Sequence, residues 1–386
     1  MTAARAVRIL VVDDSAVMRS LLRSVVSAGE GMMVAGTAAD GASALGCLES
    51  MRPDLILLDV EMPVMDGLVT LRQLRSRGHK MPVIMCSSLT QRGARVTIEA
   101  LASGASDYVA KPTGQSGREA AVQSLARDLI PKIQALTRDR VPQAPPVLPG
   151  SPRMVSPAPR SPLSPLALPP APIRSQSIPG NPTVVVIGVS TGGPAALDVV
   201  LPALPAGFSL PVLVVQHMPE LFTSLLAERL NSRCALRVSE AVEGVPIAAG
   251  SVSIARGNWH LEAVSAAGPG SLPTLRLTQG PLENHCRPAA DVLFRSAARV
   301  YGSGVLAVVL TGMGSDGLNG CRVVREQGGS VLAQDQATST VWGMPGAVAN
   351  AGLANKILPL DSIAPEIVRI AARIPAAHSE LRRMVV

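Results

Sequence analysis

Short runs of apolar, often β-branched residues recur along this chain, each closing on a polar side chain and giving way to a helix-forming stretch. Arg8-Ile9-Leu10-Val11-Val12 closes on Asp13-Asp14, Leu55-Ile56-Leu57-Leu58 on Asp59, Pro82-Val83-Ile84-Met85-Cys86 on Ser87, and Asp107-Tyr108-Val109-Ala110 on Lys111. Strands this short and apolar are covered by helices on both faces, which means a doubly wound parallel sheet. Sheets of that kind keep their chemistry at the carboxyl ends of the strands. A length of 386 residues makes two domains the natural expectation.

The first alternation runs from Val7 to about Leu125, with Met32–Ala38 as its remaining strand. Ser15 is placed to cap a helix through Ala28, and further helices are expected over Asp40–Met51 and Gly67–Ser76. Arg118 to about Leu136 reads as a last helix, interrupted by Pro131. From about Arg138 to Pro182 the composition turns to Pro, Ser, Ala and Arg without period, as in a semi-rigid or disordered spacer. The expected units are therefore residues 1–125, a helical extension and Pro-rich linker over 126–182, and a second α/β domain over 183–386.

The formal charge of +7 is diffuse, and part of it sits on Arg140, Arg153, Arg160 and Arg174 of the spacer. Without a basic run or an aromatic platform, a nucleic-acid partner is not expected. Five scattered cysteines lack C-x-x-C spacing, which argues for free thiols in a reducing cytoplasm. No apolar stretch is long enough to span a bilayer, so no membrane insertion is expected.

At the first rim, Asp13, Asp14 and Asp59 would converge and repel one another. A hard divalent cation relieves that repulsion, and Mg2+ suits a small oxygen-lined site. Ser87 and Lys111 on the same rim suit phosphate oxygens. Val12-Asp13-Asp14-Ser15, Leu58-Asp59-Val60-Glu61-Met62-Pro63 with Asp66-Gly67, Ser87, and Ala110-Lys111-Pro112 together resemble a response-regulator receiver domain, a five-stranded flavodoxin-like sheet. The resemblance implies that Asp59 accepts a phosphoryl group from a histidine kinase. It implies Mg2+ on Asp13, Asp14, Asp59 and the backbone carbonyl of Glu61, phosphoryl sensing by Ser87 and Lys111, and reorientation of Tyr108.

The second half opens on Thr183-Val184-Val185-Val186-Ile187-Gly188-Val189-Ser190-Thr191-Gly192-Gly193-Pro194, a buried strand, a tight turn and a helix start. On its own this turn reads equally as a nucleophile elbow or a phosphate-binding loop. Leu210–Val215 ends at Gln216-His217-Met218, and Val305–Leu310 at Thr311-Gly312-Met313-Gly314-Ser315-Asp316-Gly317. If these strands are parallel neighbours, Ser190, His217 and Asp316 share one rim. A histidine base oriented by a carboxylate is what a serine hydroxyl needs to become a nucleophile. His260 and His285 are rival bases, and Asp291 and Asp335 rival carboxylates. An antiparallel section is expected around Ala235–Leu277, with a Gly257-Asn258 turn, and a C-terminal helix near Ile363–Ile374.

Gly188–Pro194, Gln216-His217-Met218, Asn284-His285-Cys286-Arg287-Pro288 with Asp291-Val292-Leu293-Phe294, and Leu310–Gly317 resemble the catalytic domain of chemotaxis-type protein-glutamate methylesterases. Ala333-Gln334-Asp335 and Gly343-Met344-Pro345 extend the likeness. It implies a doubly wound, mostly parallel α/β sheet with a small antiparallel section. It also implies Ser190 as nucleophile, His217 as base and Asp316 as its partner, with no cofactor for the ester hydrolysis. The glycine-rich turn at Met313 and Gly314 is expected to supply oxyanion donors, and Thr191 and Arg287 to line the cleft. Implied substrates are methyl-esterified glutamates of chemoreceptors, with deamidation of receptor glutamines. Arg256, where the family would carry proline, and Ala289-Ala290 depart from its pattern.

Overall fold

A computed structural model describes residues 5–112, 117–138, 181–266, 268 and 270–372. The expected spacer lies almost wholly outside the described residues. The N-terminal half alternates β1 (Val7–Val12), α1 (Ala16–Ala28), β2 (Met32–Ala38), α2 (Gly41–Met51), β3 (Leu55–Asp59), α3 (Gly67–Ser76), β4 (Val83–Ser87), α4 (Gln91–Ala102), β5 (Asp107–Ala110) and α5 (Arg118–Thr137). Its five strands are parallel in the order β2-β1-β3-β4-β5. Ser15 caps α1 by accepting from the Met18 N–H at 3.3 Å. Helix α5 continues through Pro131 rather than breaking there. Leu125, Leu129 and Ile133, on one stripe either side of the proline, are buried against β1 and α1. That burial holds the helix together across the hydrogen bond that proline removes.

The second half is built on β6 (Val184–Val189), α6 (Gly193–Val200), β7 (Val212–Gln216), α7 (Glu220–Asn231), β8 (Arg237–Glu240), β9 (Ser251–Ile254), β10 (His260–Val264) and β11 (Thr274–Thr278). It continues with α8 (Ala290–Tyr301), β12 (Val305–Val309), α9 (Leu318–Glu326), β13 (Ser330–Gln334), α10 (Met344–Asn350), β14 (Lys356–Leu358) and α11 (Leu360–Ala371). Seven strands form one sheet in the order β14-β13-β12-β6-β7-β9-β8, every pairing parallel. Among the described residues the antiparallel strand pair is the β10–β11 hairpin, with single antiparallel bridges at Pro246–Thr274 and Glu283–Cys286. Strands β8 and β9 join the main sheet instead, so the Gly257-Asn258 turn separates strands of different sheets.

The central register positions the site. Val189 pairs with Gln216 and Val309 with Gly188, so β12, β6 and β7 end side by side. All three strands are buried throughout. The two halves meet in one continuous apolar core, to which the first contributes Ile98 and Tyr108 and the second Leu197, Phe222 and Leu226. The Tyr108 and Phe222 rings stack at 4.6 Å. Such a stack adds about 0.5–1.5 kcal/mol beyond the area it buries.

Candidate active site

Ser190 leaves the end of β6 in a turn closed by two backbone bonds, Gly193 N–H to Ser190 O at 2.8 Å and Ser190 N–H to Thr311 O at 3.0 Å. Gly192 has φ 78, and a Cβ there would lie 2.4 Å from Thr340 Oγ1. Gly312 is equally constrained, since its Cβ would stand 2.8 Å from Ser190 Cβ. The Gln216 side chain, at the end of β7, donates from Nε2 to Ser190 O at 3.1 Å and His217 O at 3.2 Å. The two strand ends are thereby tied together.

His217 Nε2 and Asp316 Oδ2 are hydrogen-bonded at 2.7 Å, which leaves Nδ1 as the other face of the ring. That nitrogen meets Cys286 Sγ at 3.5 Å. Ser190 and His217 are half-buried, and among the described residues neither imidazole nitrogen is hydrogen-bonded to the Ser190 hydroxyl. Burial works to lower the His217 pKa, but the bonds to Asp316 and then Cys286 carry it up to about 10. Asp316 is 2% exposed. It accepts from the N–H groups of Ala290 at 2.6 Å, Asp291 at 3.0 Å and Gly317 at 3.0 Å. Two of these belong to the first turn of α8, where the helix dipole favours an anion. Burial pushes Asp316 up, but His217 and these donors leave it below the ordinary carboxylate value.

Ser190, His217, Met313 and Gly314 line a cavity of about 1090 Å3, which Tyr108 and Lys132 of the first half also line. The contact is direct, for Thr191 Oγ1 donates to Asp107 Oδ2 at 2.6 Å in a buried bond. Lys132 Nζ donates to Tyr108 O at 2.7 Å and lies 3.6 Å from Asp107 Oδ1.

At the first rim, one carboxylate oxygen from each of Asp13, Asp14 and Asp59 falls within 4.8 Å of the others. Lys111 Nζ lies 2.7 Å from Asp59 Oδ1 and 2.8 Å from Asp13 Oδ2. Asp13 Oδ2 is buried, with the Lys111 ammonium as its ion-pair partner. Burial, opposed by Lys111 and reinforced by Asp13, pushes Asp59 up to about 6. Ser87 Oγ is buried beside this cluster and accepts from Thr97 Oγ1 at 2.7 Å.

A family model for CheB methylesterase matches residues 185–367, and one for the response regulator receiver domain matches residues 9–123. A protein-glutamate methylesterase/protein-glutamine glutaminase of Trichodesmium erythraeum is 46% identical over 362 residues, covering 94% of this chain and 98% of the relative. The Nocardioides sp. protein of the same description is 49% identical over 367 residues, covering 95% and 96%. The chain belongs to the CheB methylesterase family. The crystal structure of the Thermotoga maritima CheB methylesterase catalytic domain is also similar, with 42% identity, 49% of this chain and 98% of that chain covered, and a TM-score of 0.48.

Among the residues expected to act in this CheB-family chain, Arg287 lines the cleft but is already engaged. Its guanidinium donates to Asn258 Oδ1 at 2.8 Å and Gly280 O at 2.8 Å, clamping the loop to the hairpin. Thr191 lines the cleft with its hydroxyl committed to Asp107. Of the rivals, His260 is buried on the hairpin with Nε2 2.9 Å from Pro281 O, and Asp335 accepts from the Thr338 N–H at 2.9 Å. His285 lines the cavity. Asp291 is fully buried behind Asp316, and burial raises its pKa. Sequence reasoning gave no separate role to Asn284, which bridges Asp291 and Asp316, or to Cys286, which contacts His217. Both lie in the motif Asn284–Pro288, the one signal that could have pointed to them.

Proposed function

We propose that Ser190, His217 and Asp316 perform the family's reaction, the hydrolysis of protein glutamate methyl esters and of protein glutamine amides, under control of the receiver. Ser190 Oγ attacks the ester carbonyl as His217 Nδ1, released from Cys286, takes its proton. Backbone N–H groups at Met313 and Gly314 hold the oxyanion, each such donor being worth about 3–4 kcal/mol of barrier. The C–O bond breaks, and methanol leaves with the proton from His217. Water then adds to the acyl-enzyme with the same base and returns Ser190 and a free glutamate. With glutamine the leaving group is ammonia. The observation that carries this reading is the 2.7 Å Asp316–His217 bond in a cavity that Ser190 also lines.

Asp59 is the proposed phosphoryl acceptor, and a chemotaxis-type histidine kinase the donor. The oxygens of Asp13, Asp14 and Asp59, with the Glu61 carbonyl, would hold Mg2+. The cluster of buried Asp13 and Asp59 with exposed Asp14, all oxygen donors, fits a hard cation. When bound, the ion neutralises charge on the carboxylates and the incoming phosphoryl group. Lys111 and Ser87 then engage the new oxygens, and the shift at β4 and β5 reaches Tyr108 and Asp107, the receiver residues that face the esterase domain. Phosphorylation thereby weakens the contact that covers Ser190. The proposed units are the receiver over 1–125, the extension and linker over 126–182, and the catalytic domain over 183–386. The substrates are methylated chemoreceptor segments in the cytoplasm, and no described helix is long and apolar enough to cross a membrane.

Methanol release from a methylated chemoreceptor fragment, with and without a small phosphodonor, tests the reading. The wild type is expected to be stimulated by the donor. Ser190→Ala is expected to be inactive under both conditions, and release at the wild-type rate by that variant would overturn the assignment.

A further inference from the structure

Asn284 lies outside the reacting groups, yet its side chain is committed to them. Nδ2 donates to Asp316 Oδ1 at 2.8 Å and to Asp291 Oδ2 at 3.0 Å. Both carboxylates are buried, at 2% and 0% exposure. The backbone bends to deliver this amide, with φ 51 at Asn284 and 62 at His285. Asparagine enters that left-handed region more readily than other residues bearing a Cβ. Asp291 is anchored on its other oxygen by the Gly320 N–H at 2.5 Å, so the amide spans two fixed anions.

We infer that Asn284 is a positioning residue that sets the basicity of His217 by acting through Asp316. The inference rests on the triad reading given above. An amide N–H on Oδ1 takes up part of the carboxylate charge, so Oδ2 pulls less on the imidazole proton at 2.7 Å. The same donor offsets the repulsion between Asp291 and Asp316. Other titratable groups also surround this pair. Glu283 of the loop is held by Arg295 of α8 in two bonds of 2.6 Å, Cys321 of α9 is buried behind Asp291, and Cys286 touches His217 from the cleft side. None of them donates a hydrogen bond to either carboxylate oxygen that Asn284 holds. Without the amide, Asp316 grips the imidazolium more strongly, and His217 becomes a neutral base only at higher pH. The acid limb of the rate profile therefore moves up the pH scale.

The test uses the full chain, a phosphodonor and a methylated chemoreceptor fragment. Asn284→Gly removes the amide while keeping a backbone that tolerates positive φ. Its kcat at neutral pH is expected to fall roughly 10- to 100-fold, the range for a lost bond to a charged group. The acid limb of kcat/KM is expected to move up by about one pH unit. The 15N titration of the His217 ring should move with it, which a merely structural role would not cause. Asn284→Asp keeps the side-chain shape, places a third carboxyl beside two others, and is expected to shift His217 further in the same direction. It carries the test if the glycine loosens the loop. An unmoved acid limb together with an unmoved His217 titration would overturn the inference, whatever the rate. Ser190→Ala, run in parallel, separates the two readings. If it keeps releasing methanol, the triad assignment fails. If it is dead while Asn284→Gly leaves the acid limb in place, only the role of Asn284 fails.

Discussion

The two carboxyl rims of this molecule share one sheet logic and handle buried charge in opposite ways. At the receiver rim three carboxylates crowd together, and burial drives Asp59 up to about 6 against the opposing pull of Lys111. At the esterase rim Asp316 is just as buried, with Asp291 buried behind it. Against the cost of burial it stays below the ordinary value, held by His217 and by backbone N–H groups at the start of α8, and Asn284 donates to it as well. The first rim gathers more carboxylate charge than its donors offset, which suits the proposed cation and phosphoryl group. The second is rich in donors, which holds Asp316 as a fixed anion and suits the proposed neutral nucleophile. A doubly wound sheet supplies only the position; the balance of charges against donors decides the chemistry.

The largest effect should come from breaking the donor-rich rim. Asp316→Asn keeps the shape but replaces an acceptor oxygen facing Nε2 with an amide, so the imidazole loses the partner that stabilises its protonated form. By analogy with other serine triads, kcat is expected to fall about 10^4-fold, measured as methanol release, with thermal melting little changed. Loss of less than tenfold would mean that Asp316 is a structural cap for α8 and that the contrast between the rims is false.

The carboxylate-rich rim predicts a smaller and conditional effect. Asp59→Asn removes the proposed acceptor, and stimulation by a small phosphodonor should disappear. If phosphorylation creates one to three charge-assisted bonds, the stimulation lost is on the order of tenfold or more. Stimulation that survives the substitution would place the phosphoryl group elsewhere.

How much of this was legible in the sequence differs between strands and loops. The strand ends announced themselves, because a short apolar run closing on Asp13, Asp59 or His217 carries both its burial and its rim position in the residue order. The all-parallel pairing of β8 and β9 did not show, since a short alternating strand such as Arg237–Glu240 carries no sign of its neighbour's direction. Pro131 misled in the other direction, because its local cost was outweighed by burial of Leu129 and Ile133. Asn284 and Cys286 reach Asp316 and His217 through contacts across the fold, which no local pattern encodes. The hydroxyl of Thr191 was expected only at the cleft, and its partner Asp107 lies 84 positions away.

That last contact supplies the smallest expected effect and the one that joins the two rims. Asp107 begins β5, two strands from Asp59 in the receiver sheet, and its Oδ2 holds the residue next to Ser190. Its Oδ1 accepts from the Tyr108 N–H at 2.8 Å, so a reoriented Tyr108 pulls on the same carboxylate. Asp107→Ala removes this link without touching the esterase domain, and Lys132 keeps Asp128 at 3.0 Å as its counterion. A buried bond to a charged group is worth about 1.5–3 kcal/mol, of which part returns as the Thr191 hydroxyl finds water. The stack of Tyr108 on Phe222 still holds the domains together, so the covered state is weakened rather than lost. Methanol release without phosphodonor is therefore expected to rise several-fold, and the additional gain on phosphorylation to shrink by the same factor. Unphosphorylated Asp107→Ala with wild-type activity would show that the apolar contact alone covers Ser190 and that the polar link between the rims transmits nothing.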